Sequence, residues 1–411
     1  METEILTGNL KDHSYFESQE GQREVGTLID QLKGEVGNPK GYLEICKKAD
    51  QSEGKLTSET LEALFEKFNG LIKNTPPGHD INHIYRDALA GLAFASNDRF
   101  VKNSFSQADI QAGILGSIFH DIGNAVARRY LDNKHINAHA EIGAYIFWQT
   151  SEGVINENVR KLATYAIAAH THYLKPISIK EPQGYERQPY WYEIFYPEEG
   201  KPCGLAPIIT RFSDRLEANG GAFVARTMSA NADALELGGG SEFGGDKGFF
   251  EINKESLVTL FYPQIREEKP KPSSALEHAL MFAKSNFGNS VYSQDDHLFP
   301  LMGELMKAKT DQTYKLIEIV SIPPEMMDFS NLKAEAVAKN TMRQISGSKN
   351  FDRAWKNLLL AWQEIDPETQ ARWENGFRYI QKSYIDWLEI LQSKIGDEYQ
   401  EFADGLVHKC I

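Results

Sequence analysis

The stretch "SIFHDIGNA", residues 117–125, ends an apolar run on a histidine, a carboxylate and a glycine. Upstream, "SQADIQAGILGSIF" repeats Ile110, Ile114, Ile118 and Phe119 at helical spacing, and Ser106 stands where an N-cap belongs. The reading is a helix whose C-terminal end carries His120 and Asp121, two side chains suited to a metal ion. The dipeptide alone decides nothing. A second pair, His79-Asp80, lies in "PPGHDINHIYRD", residues 76–87. What matters is whether other ligand types recur around residues 120–121.

They do, and on helix-period segments. Seven of the eleven histidines fall between residues 79 and 172. His83 lies early in "DINHIYRDALAGLAFA". His139 opens "NAHAEIGAYIF", on the face of Ile142 and Ile146. His170 extends the stripe of Val159, Leu162, Ala163, Ala166 and Ile167 in "ENVRKLATYAIAAH". An imidazole on such a stripe points into a core, where it needs a partner or a metal. His172, two residues on, falls on the opposite side if the helix persists, and is the weaker ligand candidate. Any one of these histidines, taken alone, is more often a satisfied or exposed residue. Jointly, imidazoles and carboxylates suit Fe, Mn or Zn. A carboxylate next to a ligand histidine can also bridge two ions about 3.5–4 Å apart.

The rest of the chain sets limits. Of 411 residues, 41% are hydrophobic, enough for a full core and two domains. No run reaches the roughly 18 apolar residues of a membrane span. The start, "METEILTGNLKDHSYF", has no secretory pattern, and three dispersed cysteines (46, 203, 410) suggest reduced thiols; a cytoplasmic protein is expected. A net charge of −14 argues against duplex nucleic acid held on a broad basic face. Residues 1–75 read as a helical lead-in, with Ser58 as N-cap of "SETLEALFEKFNGLI". Residues 76–262 form the histidine-bearing domain, interrupted at 174–205 by a proline- and aromatic-rich insertion with a short hairpin expected in "YWYEIFY". The glycine-rich loop at 237–248 lacks the setting of a P-loop. Residues 263–274 have linker composition, and 275–411 are helical again. There Phe377, Ile380, Tyr384, Trp387, Leu388 and Leu391 share one face. The fold class is all-α.

The order His83, His120-Asp121, then a later Asp resembles the HD-domain metal-dependent phosphohydrolase superfamily. "SIFHDIGN" is close to its His-Asp motif, "GHDINHIYRDALAGLA" looks like its first helix with His83 rather than His79 as ligand, and "ITRFSDRLEA" nominates Asp214. The resemblance covers roughly residues 76–227 and implies an HD-domain helical bundle. "HAEIGA" and "AAHTHY" are similar to segments of the two-metal HD-GYP phosphodiesterases. Asn124 stands where that group often has lysine, Thr171 separates the last histidines, and Gly-Tyr-Pro is replaced by "QGYE", so cyclic di-GMP is not assigned.

The resemblance implies two divalent ions (Fe, Mn, Mg or Zn). His83, His120, Asp121 and Asp214 would hold one, and Asp121, His139 and His170 much of the other, with His120 and Asp121 at the catalytic centre. From the residues alone, Asp214 is equally well a surface carboxylate paired with Arg211 or Arg215. Arg86, Arg211 and Arg215 are candidates for receiving substrate phosphates; Arg128 and Arg129 are better read as solvated charges. His79-Asp80 reads as a helix start capped by Asp80, and His13, His135, His278, His297 and His408 as surface residues. The expected activity is hydrolysis of a phosphoester in a nucleotide or cyclic nucleotide. Two other classes use the same ligands: a di-iron oxygenase, and a non-catalytic sensor or scaffold.

Overall fold

The computed structural model describes residues 13–37, 39–51, 56–104, 106–126, 138–170, 179–180, 186–187, 206–235, 275–276, 279–280, 283, 300–347 and 351–410. The insertion beyond its two short strands, the loop at 237–248, the linker at 263–274, His172, Arg128, Arg129, His135, His278 and His297 lie outside the described residues. The fold is all-α, with sixteen helices among the described residues.

The helix that ends in His120 organises the rest. α7 (Gln107–Phe119) is buried on nearly every side. A helix apolar all round belongs at the centre of a bundle. It starts as predicted, with Ser106 and Asp109 forming a reciprocal capping box. Around it pack α5 (Ile81–Asn97), α9 (Glu157–Ala169) and α10 (Ala206–Glu217), and α8 (Ala138–Thr150) lies on α9. Pro207 sits in the first turn of α10, where its missing N–H costs nothing.

The lead-in is α1 (His13–Glu17), α2 (Gln19–Glu35), α3 (Pro39–Asp50) and α4 (Ser58–Ile72). Thr57, not Ser58, caps α4: its backbone is extended and its hydroxyl accepts from the Thr60 N–H, whereas Ser58 is already helical. α6 (Arg99–Ser104) links α5 to α7. Within the insertion, Ile179–Lys180 (β1) pairs antiparallel with Glu186–Arg187 (β2); the hairpin predicted in "YWYEIFY" lies outside the described residues. After α11 (Gly220–Leu235) come α12 (Pro300–Val320), α13 (Ala334–Ser346), α14 (Phe351–Trp362), α15 (Pro367–Ser393) and α16 (Gln400–Cys410).

Two apolar clusters result. The larger runs from Phe16 to Leu216 and takes in Leu301, Leu305, Trp387, Leu391 and Leu406 from the C-terminal helices. The second joins α11 to α12–α15 through Phe223, Met228, Met342, Trp355, Trp373 and Phe377. Thus α11, which precedes the expected linker, packs with the helices that follow it. Phe377, Ile380, Tyr384, Trp387 and Leu391 are all buried, so that stripe is core; each large apolar side chain contributes about 1.5–3 kcal/mol. No helix among the described residues is long and apolar enough to cross a membrane.

Candidate metal centre

Helix ends bring the site together. Asp80 caps α5 as predicted, its Oδ1 accepting from the N–H groups of Asn82 and His83. The chain reaches that cap through Gly78 at φ 88°, a left-handed conformation that favours glycine. His83 and Asp87 follow on successive turns of α5, both fully buried. His120 is the C-cap of α7, and His170 that of α9. Asp214 begins the last turn of α10.

His139 is delivered by a backbone contact. A Cβ on Gly123 would overlap the His139 carbonyl oxygen and crowd the Gly143 amide. The glycine of "HDIG" therefore lets the turn after Asp121 lie directly on the first turns of α8. That contact sets His139 Nε2 3.9 Å from Asp121 Oδ1 and 3.2 Å from His170 Nε2.

The predicted ligands His83, His120, Asp121, His139, His170 and Asp214 are thus brought together. Three overlapping groups could each hold a cation: His83, Asp87, His120 and Asp214; His79, His83 and Asp121; His120, Asp121 and His170. Asp121 is shared by the last two, and its oxygens face different neighbours. Oδ2 lies 3.2 Å from His83 Nε2 and 3.4 Å from His120 Nε2; Oδ1 lies 4.0 Å from His170 Nε2 and accepts from Asn124 Nδ2 at 2.8 Å. Asn124 thereby orients the central carboxylate.

Two residues go beyond the sequence reading. Asp87, overlooked there, has Oδ2 3.2 Å from His83 Nε2 and 3.4 Å from His120 Nε2. Its i+4 spacing from His83 was the available signal. His79 is a correction: beyond its place before the helix, its Nδ1 is hydrogen-bonded to Asp121 Oδ2. Gly78 turns the chain so that Asp80 faces the helix and its neighbour faces the cluster.

The arginine assignments also change. Arg86 is fully buried and paired with Glu217, and Arg211 is buried with Nη1 donating to the His170 carbonyl. Neither is presented to a substrate. Arg215 stays partly exposed beside Asp214.

The donor set fits a cation. Both ring nitrogens of His83, both carboxylate oxygens of Asp87 and Nε2 of His120 are buried without a hydrogen-bond partner. They crowd within reach of one another, yet none is aligned to donate to another, and leaving such groups unpaired in a core is costly. The outer nitrogens are spoken for: His120 Nδ1 meets the Ser117 carbonyl at 3.1 Å, and His170 Nδ1 the Ile167 carbonyl at 2.6 Å. A donor bond there fixes each ring's orientation and turns Nε2 to the centre; on neutral His170 that nitrogen is bare, and on His120 it becomes so once its proton is lost.

The protein's own charges pull these groups apart. Burial, helped by Arg226, drives His83 well below its usual value. Burial opposes charge on His120, but Asp121, Asp87 and Asp214 outweigh it and lift that ring to about 10. Burial and the nearby His120 and His139 take His170 down to about 3. Burial would raise Asp121 and Asp214, yet His79 and His120 hold the first well below the carboxylate range, and His120 and His170 bring the second to about 2. Burial holds Asp87 well above that range. Such spreading of titrations within a few ångströms marks functional sites more often than structural ones.

The side chains of His79, His139 and Asp214 are 13%, 20% and 25% exposed, whereas those of His83, Asp87, His120, Asp121 and His170 are buried. No family model matches the chain, and no match was found among curated proteins or among solved structures.

Proposed function

We propose that the chain is a metal-dependent phosphohydrolase of the HD-domain type, cleaving a phosphoester in a nucleotide or cyclic nucleotide. The observation that carries this reading is the placement of Asp121, with imidazoles of His79, His83 and His120 about one oxygen and those of His139 and His170 about the other. On this reading His83, Asp87, His120, Asp121 and Asp214 hold one divalent ion, and Asp121, His139 and His170 hold a second. Ions from the set Fe, Mn, Mg or Zn would polarise phosphoryl oxygens and bring the pKa of a water towards neutrality.

The remaining work falls to the protein. Buried His120 and His170, pinned by carbonyls, keep their Nε2 atoms aimed at the centre. His79, His139 and Asp214, the partly exposed members of the cluster, are the ones a substrate could meet. Arg215, next to Asp214 in the chain and partly exposed, is the remaining arginine candidate for a phosphate oxygen, an anion that the chain's overall negative charge would otherwise repel.

The test is metal analysis of protein purified without chelator, then an oxygen-free assay with Mn²⁺ on bis(p-nitrophenyl) phosphate and a panel of nucleotides and cyclic nucleotides. Bound divalent metal with phosphoester cleavage supports the proposal. Bound iron with oxygen uptake and no cleavage would assign the oxygenase chemistry instead. Bound metal with no turnover would assign the sensor or scaffold.

A further inference from the structure

Behind the metal centre lies a second buried cluster, made of opposite charges. Glu217, fully buried at the end of α10, receives Arg86 Nε from α5 on one carboxylate oxygen and Lys309 Nζ from α12 at 3.0 Å on the other. Arg226 of α11 donates to the Glu217 backbone carbonyl at 3.0 Å and to the Gly78 carbonyl at 2.7 Å. Lys309 Nζ lies 4.5 Å from the centre of the Trp387 ring, and Arg86 lies over Tyr384, both aromatics belonging to α15. Arg86 Nη1 also reaches the Ile345 carbonyl on α13. The cluster thus ties the C-terminal helices to α5 and α10.

Its register matters more than its existence. Arg86 follows His83 by three residues and immediately precedes Asp87; Glu217 follows Asp214 by three. On a helix, three residues is about one turn. The Glu217 carboxylate is therefore a pin between the two helices that must bring His83, Asp87 and Asp214 to one point, joined one turn beyond His83 on α5 and one turn beyond Asp214 on α10. Gly78, gripped by Arg226, precedes His79. A buried ion pair placed merely for stability has no reason to stand at this register, and such pairs are weak stabilisers compared with apolar packing.

We propose that Lys309 is a positioning residue of the metal centre: by holding Glu217 against Arg86, the C-terminal helices set the spacing of the ligands on α5 and α10. The proposal rests on the metal-site reading above. Partners bonded directly to a metal ligand typically change metal affinity by about 10–100-fold when removed; Lys309 acts one contact further out, at the lower end of that range.

The test uses the full chain titrated with Co²⁺, read by affinity and by the visible absorption that reports ligand geometry. Lys309→Met is expected to weaken Co²⁺ binding about 10-fold and to alter the spectrum, and Lys309→Arg to recover most of both. Leu358→Ala, in the second apolar cluster away from Glu217, serves as a stability control and is expected to leave affinity and spectrum unchanged. Wild-type affinity and spectrum in Lys309→Met overturn the proposal, as does an equal loss of affinity in Leu358→Ala. If Lys309→Met does not fold, Lys309→Gln carries the same expectation; failure of both to fold assigns Lys309 to stability and overturns the proposal. A wild-type chain that binds no Co²⁺ sinks the metal reading itself, a result distinct from the others.

Discussion

His139 and His170 meet Nε2 to Nε2 at 3.2 Å. Two bare lone pairs repel at that distance unless a proton or a cation accompanies them. His170 gives its Nδ1 to the Ile167 carbonyl and is held neutral by burial and its cationic neighbours, so its Nε2 carries no proton. Either His139 donates, or both nitrogens serve one ion. The second arrangement predicts that His170→Ala lowers the metal content of the saturated protein from two ions to one, leaving the ion assigned to His83, Asp87, His120 and Asp214 in place. Elemental analysis after equilibrium dialysis checks this, and two ions retained in the variant would refute it.

Asp87 gives a complementary prediction for the first ion. Its buried oxygens have no hydrogen-bond donor, so the carboxylate costs stability unless a cation joins it. Asp87→Asn preserves shape and removes the charge. Metal affinity is expected to fall beyond the ~100-fold that outer partners cost, while the metal-free protein melts no lower than wild type. Calorimetric titration and a thermal melt of the chelated protein decide it. A melt much lower than wild type with affinity intact would make Asp87 a structural residue.

The bundle was legible from its helical patterns, and two of the candidate ligands, His120 and His170, because they lie where such a pattern stops. Ile110, Ile114, Ile118 and Phe119 fix the face of α7, and the pattern runs out at His120. Val159 to Ile167 do the same for His170. Asp87 was harder to see, since a carboxylate inside "HIYRDALAGLA" looks like an ordinary exposed charge until its distance from His83 is considered. His79 was hidden by a backbone event: only the left-handed turn at Gly78 separates its direction from that of Asp80. Arg86 and Arg211 misled because long cationic side chains look alike in sequence whether they face a substrate or, as here, Glu217 and the His170 carbonyl.

Gly123 joins stability to the site. The smallest side chain placed there overlaps the His139 carbonyl, which belongs to a helix backbone and cannot rotate aside. Gly123→Ala is expected to destabilise the protein by about 1–3 kcal/mol, the cost of overpacking, and to push the start of α8 away from Asp121. Two measurements follow: a lower urea midpoint, and loss of the ion held by His139 and His170 with the other retained. An alanine variant with a wild-type midpoint would show that α8 does not need this contact.

Protons and metal compete for His120. Burial disfavours its charge, but Asp121, Asp87 and Asp214 prevail and hold the ring protonated up to about 10 in the metal-free protein. Ligands must shed protons to bind a cation, so at pH 7.5 metal binding is expected to release about one proton, the one His120 carries. Affinity should therefore rise with pH and level off near 10. The stability that His120 lends the metal-free protein runs the other way: its folded value is raised, so the contribution is complete below about 6.5, its unfolded value, and is lost as pH rises through about 10. Calorimetric titrations with Zn²⁺ in two buffers of different ionisation enthalpy count the protons directly. Identical heats in both buffers at pH 7.5 would mean that His120 is already neutral, and that the carboxylates around it do not act on its ring as their distances imply.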